Sequence, residues 1–290
     1  MIAQNAAFVL YRDITHVYLG HGDSDKELSA HPGHGMFDRI FVAGPAAIDR
    51  YAVNGVTLAT QKFVEVGRPQ LAGIQQATTK INEIPVPRVL LAPTWRGYNS
   101  KTNLSSLSAA KIIAEALISR GAEVVFRPHP FSWLGRAERS AISDVDALLS
   151  AERASSGREH RLATECRTMT IRECCDTSDA CITDIGSVLV DYFATDKPYA
   201  VVLPRHEEAG CAHERFPTTG AAYLMELDDL TGARAPLVLG RVLDDLLGAE
   251  PLAERRRDIA RYYLGAKPGD DGPFLDAARD VLGLSSTHAS

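Results

Sequence analysis

Glu123-Val124-Val125-Phe126-Arg127-Pro128-His129-Pro130 is a short apolar run that ends in a cationic proline turn. Residues 123–126 read as a buried strand. Proline fixes its own φ and restrains the residue before it, so a histidine between two prolines sits in a stiff, extended turn. Arg127 and His129 are thereby presented side by side where a strand ends. In open α/β sheets ligands bind at that edge. A guanidinium and an imidazole there suit an anionic ligand, phosphate first.

The same rhythm continues on both sides of this turn. Val89–Ala92 reads as a strand ending at Pro93-Thr94-Trp95-Arg96, and Ser105–Arg120 as a helix with Ala109, Ile112, Ile113, Ala116 and Leu117 on one face and Gly121 as its stop. Arg136–Leu149 reads as a helix, residues 150–165 as a polar loop, and Ile171–Ser178 as a short helix. Ala180–Thr183 is a strand, Ser187–Ala194 a helix and Tyr199–Leu203 a strand. Alternating strands and helices of these lengths make a parallel sheet with crossover helices, an α/β fold. Before Pro87 the helices are brief, between strands at Val17–Leu19, Arg39–Val42 and Phe63–Val66. Ile84-Pro85-Val86-Pro87 has the alternating prolines of a stiff linker. Helices are expected at Leu237–Leu247, Ala253–Leu264 and Phe274–Leu282. The expected domains are 1–86, a partial N-terminal lobe; 87–268, a C-terminal nucleotide-binding lobe; and 269–290, a terminal helix and tail.

Composition removes several function classes. A net charge of −6 over 290 residues does not suit a protein that coats nucleic acid. Five cysteines without a paired C-x-x-C pattern read as reduced thiols, not as a disulfide frame or zinc site. No apolar run is long enough to span a bilayer, and the N-terminus lacks the pattern of a secretory signal.

Three further stretches carry chemistry. His21 lies between Gly20 and Gly22 and leads into Asp23-Ser24-Asp25-Lys26 after an expected strand. Glycines let backbone approach a ligand, and an exposed imidazole suits a general base near neutral pH. His21, His31 and His34 lie close together, but no carboxylate or cysteine recurs at ligand spacing, so no metal is expected. Pro93-Thr94-Trp95-Arg96-Gly97 holds either a phosphate or base ring, or only a turn anchored by Trp95. In Thr183-Asp184-Ile185-Gly186-Ser187, a strand runs through small residues into a helix whose first N–H groups and Ser187 hydroxyl suit an anion. Asp184 or Ser187 acting as a helix cap is the plainer reading. Asp191 follows Ser187 by one turn and is an acceptor for hydroxyl groups. Arg255-Arg256-Arg257, flanked by Glu254 and Asp258, reads as a solvated helix face.

In this order the pieces resemble the CDP-glycerol glycerophosphotransferase family of teichoic-acid and capsule polymer synthesis. The resemblance runs through 21–26, 37–44, Val66-Gly67-Arg68-Pro69, 92–96, Arg127-Pro128-His129-Pro130, 182–192, Lys197-Pro198 and Asp271-Gly272. It implies a GT-B-like architecture of two Rossmann-type lobes with the site between them, the N-terminal lobe here being truncated. His21 would be the base, with Gly22, Asp23 and Lys26 on the acceptor side. His129 and Arg127 would contact the donor, Gly186 and Ser187 its phosphates, and Asp191 its glycerol. Thr94, Arg96, Thr183 and Asp184 would complete the donor side. Where the family has two adjacent hydroxyl residues, this chain has Gly186-Ser187.

The implied reaction moves glycerol-phosphate, or a related polyol-phosphate, from a CDP-activated donor to a hydroxyl acceptor and releases CMP, without a cofactor or metal. Implied partners are a CDP-polyol and a polymer or lipid-linked acceptor, with a dimer or partner chain completing the short lobe. The expected location is the cytoplasm, with peripheral contact at the inner face of the membrane. The competing readings are a GT-B enzyme using a nucleotide sugar and a non-catalytic nucleotide-binding subunit.

Overall fold

The computed structural model describes residues 8–20, 24–25, 30–97 and 103–284. The elements begin with β1 (Val17–Leu19), β2 (Arg39–Val42), α1 (Pro45–Val53), β3 (Phe63–Glu65), β4 (Arg88–Ala92), α2 (Ala110–Ser119) and β5 (Glu123–Phe126). There follow α3 (Arg136–Ser156), α4 (Ala163–Cys166), α5 (Ile171–Asp176), β6 (Ala180–Thr183), α6 (Ser187–Tyr192), β7 (Tyr199–Leu203), α7 (Ala212–Arg215) and β8 (Tyr223–Glu226). The last are α8 (Leu227–Leu230), α9 (Ala235–Leu246), α10 (Ala253–Leu264) and α11 (Gly272–Val281). The chain divides into two compact units, 1–73 with 258–290, and 74–257.

The second unit is built on a five-stranded parallel sheet in the order β5-β4-β6-β7-β8. The first four of these strands are buried along their whole length apart from Arg88, which is why they read as continuous apolar runs. One face of the core joins Val89, Leu91, Val124 and Phe126 to Ile113 and Leu117 of α2, Ile142 and Val145 of α3, and Leu239 and Leu243 of α9. The chain leaves β4 for β5 on one side and returns to β6 on the other. The switch point of this doubly wound sheet therefore lies at the carboxyl ends of β4 and β6, where ligands bind in such folds.

Four features differ from the sequence reading. Arg256, expected on a solvated helix face, is buried and pairs with Glu250. Helix α3 continues seven residues past Leu149, to Ser156, where Gly157 at φ 75° closes it and donates to the Arg153 carbonyl. Its last turns are polar yet rich in helix formers, and left-handed Gly157 supplies the stop. Strand β8 was not expected, because only Met225 of its four residues is buried and none is β-branched. The unit boundary falls at Gly73–Ile74 and not at Pro87. Gln75 N–H donates to Asp176, Ala77 N–H to the Thr195 carbonyl, and Ile81 packs in the core with Val89, so the proline segment lies inside the second unit.

The first unit carries the parallel sheet β1-β2-β3. Ile40, Val42 and Ala47 pack with Tyr18, Leu58 and Phe63 beneath it. Gly44 precedes α1 and meets the end of α10 so closely that a Cβ there would lie 2.7 Å from the Gly265 nitrogen. Phe41 meets Phe274 of α11 edge to face, and the Tyr263 hydroxyl donates to Asp25 at 2.7 Å. These contacts, between residues more than 200 positions apart, bring the C-terminal segment into the unit.

His34 is fully buried in this unit, stacked on Tyr18 at 3.9 Å, with Nδ1 2.6 Å from the Tyr51 hydroxyl. Its Nε2 is buried without a hydrogen-bond partner among the described residues. Burial, with His31 nearby, pushes the imidazole down from 6.5 to about 4. The unfolded chain therefore binds a proton between those values that the folded unit does not. The associated stability is full above pH 6.5 and falls by about 3 kcal/mol on descent to pH 4. We expect urea midpoints of wild type to drop more between pH 7 and pH 4.5 than those of His34→Phe. Parallel pH profiles would contradict this.

Candidate functional site

A shallow cleft opens at the switch point of the second unit. Its lining is Ala92, Pro93 and Thr94 after β4, Arg127 and His129 after β5, and Thr183, Asp184, Gly186, Ser187 and Val188 between β6 and α6. Three strand ends thus converge on one cleft. The sequence singled out each of their loops separately.

The turn after β5 is fixed by backbone bonds. Arg127 N–H donates to the Leu91 carbonyl and His129 N–H to the Pro93 carbonyl, which extends the β4–β5 pairing to the cleft. His129 Nδ1 accepts from Phe131 N–H at 3.1 Å. An imidazole that accepts at Nδ1 carries its proton on Nε2. His129 is therefore set as a donor at Nε2. Its ring stacks on Trp95 at 6.1 Å and meets Phe131 edge to face at 5.4 Å, while Trp95 and Phe131 meet at 5.2 Å. The spacing of Trp95, His129 and Phe131 in the chain gave no sign of this cluster. It forms because two neighbouring strands end at the same level.

Arg127 is half-buried, with Nη2 3.4 Å from the Met169 carbonyl and Nε buried without a hydrogen-bond partner among the described residues. Its charge is felt by the Cys174 thiol, which hydrogen bonding with Cys166 first, and Arg127 next, hold below the usual thiol range. All five cysteines are free, four of them buried.

Asp184 lines the cleft but does not act as a helix cap, and neither does Ser187. Fully buried, its Oδ2 accepts from Thr94 N–H at 2.6 Å and Ser106 N–H at 3.1 Å. The carboxylate therefore braces the loop after β4 against β6. Ser105 adds to the brace by donating to the Thr94 carbonyl at 2.6 Å, a contribution the sequence did not reveal. Thr183 Oγ1 donates to the Ala92 carbonyl at 2.8 Å and so ties β6 to β4. With the cap position held by Gly186, the first N–H groups of α6 have no side-chain cap. An α-helix start leaves such donors without intrahelical partners. Gly186, Ser187 and Val188 line the cleft, and with no hydroxyl at the Gly186 position Ser187 supplies the side-chain hydroxyl of this turn.

Two expected residues lie elsewhere. Arg96 does not line the cleft. It is exposed, and its Nε pairs with Glu138 of α3 at 3.0 Å. Asp191 is only 5% exposed and also lies outside the lining, close enough to Cys175 to add to the upward push that burial gives that thiol. Lys197 is likewise structural, with Nζ donating to the carbonyls of Cys175 and Ser178. His21, Gly22, Asp23 and Lys26 lie outside the described residues. Among the described residues, no group of three or more His, Cys, Asp or Glu side chains is placed to hold a metal ion, and no helix is long and apolar enough to cross a membrane.

The sequence profile of the CDP-glycerol:poly(glycerophosphate) glycerophosphotransferase family matches residues 59–208, which is 150 of the 290 residues and spans the whole cleft. The chain belongs to that family. No curated protein sequence matches it significantly. Among solved structures, the S. aureus MnaA–UDP co-structure superposes with a TM-score of 0.56 at 14% identity, covering 98% of this chain and 74% of that one. A variant of the wall teichoic acid polymerase TagF superposes with a TM-score of 0.51 at 12% identity, covering 87% of this chain and 60% of that one. TagF soaked with CDPG gives a TM-score of 0.50 at 12% identity, covering 86% and 59%. The chain thus spans about 60% of the TagF length. The family member described here is an α/β protein of GT-B-like fold, with a parallel sheet in each unit and the smaller sheet in the N-terminal one.

Proposed function

We propose that the protein transfers glycerol-phosphate, or a related polyol-phosphate, from a CDP-activated donor to a hydroxyl acceptor and releases CMP. The observation that carries this reading is the convergence of Arg127, His129 and the uncapped start of α6 on one cleft. That set offers a cation, a neutral donor and backbone donors to a diphosphate. Family membership supports the donor class, as does the CDPG named for a TagF structure, while the UDP named for the MnaA structure supports a nucleotide-activated donor.

In this reading an acceptor hydroxyl attacks the phosphorus that bears the glycerol. A new P–O bond forms, and the P–O bond to the CMP phosphate breaks. His21 takes the hydroxyl proton. The charge that builds on the departing CMP is met by Arg127, by Nε2–H of His129 and by N–H groups at Ser187 and Val188. Donors preset in a partly dry cleft stabilise such charge without reorganising during the reaction. Thr94 and Ser187 contribute polar contacts to the donor, and Asp184 keeps Thr94 in place. The acceptor is the hydroxyl end of a growing or lipid-linked polymer in cell-wall or capsule synthesis, met at the inner face of the cell membrane.

A thermal-shift panel separates this reading from its rivals, since a ligand bound only by the folded state raises the melting temperature. CDP-glycerol or CDP-ribitol is expected to raise it by several degrees at saturating concentration, with UDP-sugars inert. A shift with UDP-sugars alone would point to a glycosyltransferase. A CDP-glycerol shift without CMP release, with a competent acceptor present, would point to a binding subunit.

A further inference from the structure

Residues 130–134 form an exposed turn next to the cleft, with Phe131 48% and Leu134 76% exposed. Large apolar side chains displayed together at the tip of a turn mark an interaction surface. Arginines surround them. Arg139 donates to the carbonyls of Trp133 and Leu134, and Arg167 lies over the Trp133 ring at 5.1 Å. Arg136 begins α3 two residues after Leu134, and Arg96 reaches the first turn of the same helix. All four arginines are exposed. The acids among them are taken up: Glu138 by Arg96 and Glu165 by Arg153. The face therefore combines an apolar tip with a cationic collar.

We propose that this face docks on an anionic lipid surface, with Phe131 and Leu134 entering the interface and Arg136, Arg139 and Arg167 meeting lipid phosphates. The occupant follows from using both halves of the face. A soluble polyanion would satisfy the arginines and leave Phe131 and Leu134 in water. A headgroup layer over acyl chains satisfies both, and each arginine near an anionic surface is worth about fivefold in partition. Because Phe131 packs against His129 and Trp95, docking brings the mouth of the cleft to the bilayer surface. The proposal stands on the surface alone and does not need the transfer reaction.

The chain's two tryptophans, Trp95 and Trp133, both lie at this face, so intrinsic fluorescence reports on it. The full chain is mixed with vesicles of phosphatidylcholine alone and with vesicles of phosphatidylcholine and phosphatidylglycerol in equal parts, each with brominated acyl chains. Binding and quenching are expected only with phosphatidylglycerol, and both should weaken in high salt. The double variant Leu134→Ser with Arg136→Glu should bind at least tenfold more weakly while keeping its circular dichroism. If that variant does not fold, Arg136→Glu alone should lose about fivefold or more, and the quenching of wild type stands without any variant.

Three results would overturn the proposal. One is no binding to phosphatidylglycerol vesicles. Another is binding without quenching, or unchanged in the variants, which places the contact on another surface such as the exposed Phe8, Leu10 and Tyr11. The last is loss of binding to soluble poly(glycerophosphate) in the variant with vesicle binding intact, which makes the face a polyanion site. None of these assays contains a nucleotide donor, so their failure leaves the proposed reaction untouched.

Discussion

Replacing His129 by alanine is expected to lower CMP release about a thousandfold or more while the protein stays folded. The size follows from what the side chain supplies. His129 lines the cleft, and because Nδ1 accepts from Phe131 N–H the neutral imidazole carries its proton on Nε2, so it is held in one tautomer before any ligand arrives. A preset donor to developing phosphate charge is worth roughly 10²–10³ in rate, and loss of the adjoining stack on Trp95 adds misplacement of the loop. The structural cost is small, since one half-exposed hydrogen bond is worth about 1 kcal/mol. His129→Gln should recover one to two orders of magnitude, because its amide nitrogen lies where Nε2–H was. Comparable kcat in wild type and His129→Ala would remove His129 from the account. Equal rates in the alanine and glutamine variants would show that the donor at Nε2 is not what matters.

Asp184→Ala should be the most destabilising change in the cleft, by roughly 3–5 kcal/mol. Its carboxylate is fully buried and accepts two backbone N–H groups, from Thr94 and Ser106. Hydrogen bonds to a charged group are worth about 1.5–3 kcal/mol each, and removing the acceptor strands both donors in a dry site. Asp184→Asn keeps an acceptor oxygen at lower strength and should cost about half as much. Both variants loosen the loop that carries Thr94 and Trp95, so donor affinity should fall even where the fold survives. Urea unfolding followed by circular dichroism measures the first effect, and thermal shift with CDP-glycerol the second. A loss under about 1 kcal/mol in Asp184→Ala would show that the brace is not needed.

The fold was largely legible where structure is local. Val89–Ala92, Val124–Phe126, Ala180–Thr183 and Tyr199–Leu203 are apolar because helices cover both faces of their sheet, and each was visible as a run. Strand β8 sits at the sheet edge with one buried residue, so it left no run to see. The grouping of residues 258–284 with the first unit depends on pairs such as Gly44 with Gly265 and Tyr263 with Asp25, which no local pattern records.

The cleft shows the same division. Proline turns and strand ends gave the positions of Thr94, Arg127, His129, Asp184 and Ser187, since the backbone decides where such residues lie. Which way a side chain turns depends on its partners. Arg96 turns to Glu138, forty-two residues on, and Asp184 turns to Ser106 instead of to its own helix. Asp191 lies one turn after Ser187 but is buried where Ser187 is exposed, a difference that helical spacing alone does not reveal.

The most direct measurement is CMP released from CDP-glycerol by the wild-type chain, followed chromatographically, with a glycerol-phosphate-terminated lipid-linked acceptor present. The account predicts release that needs both donor and acceptor and grows linearly with enzyme, together with an acceptor lengthened by one glycerol-phosphate per CMP. No CMP above the enzyme-free rate, under conditions where CDP-glycerol raises the melting temperature, would contradict it.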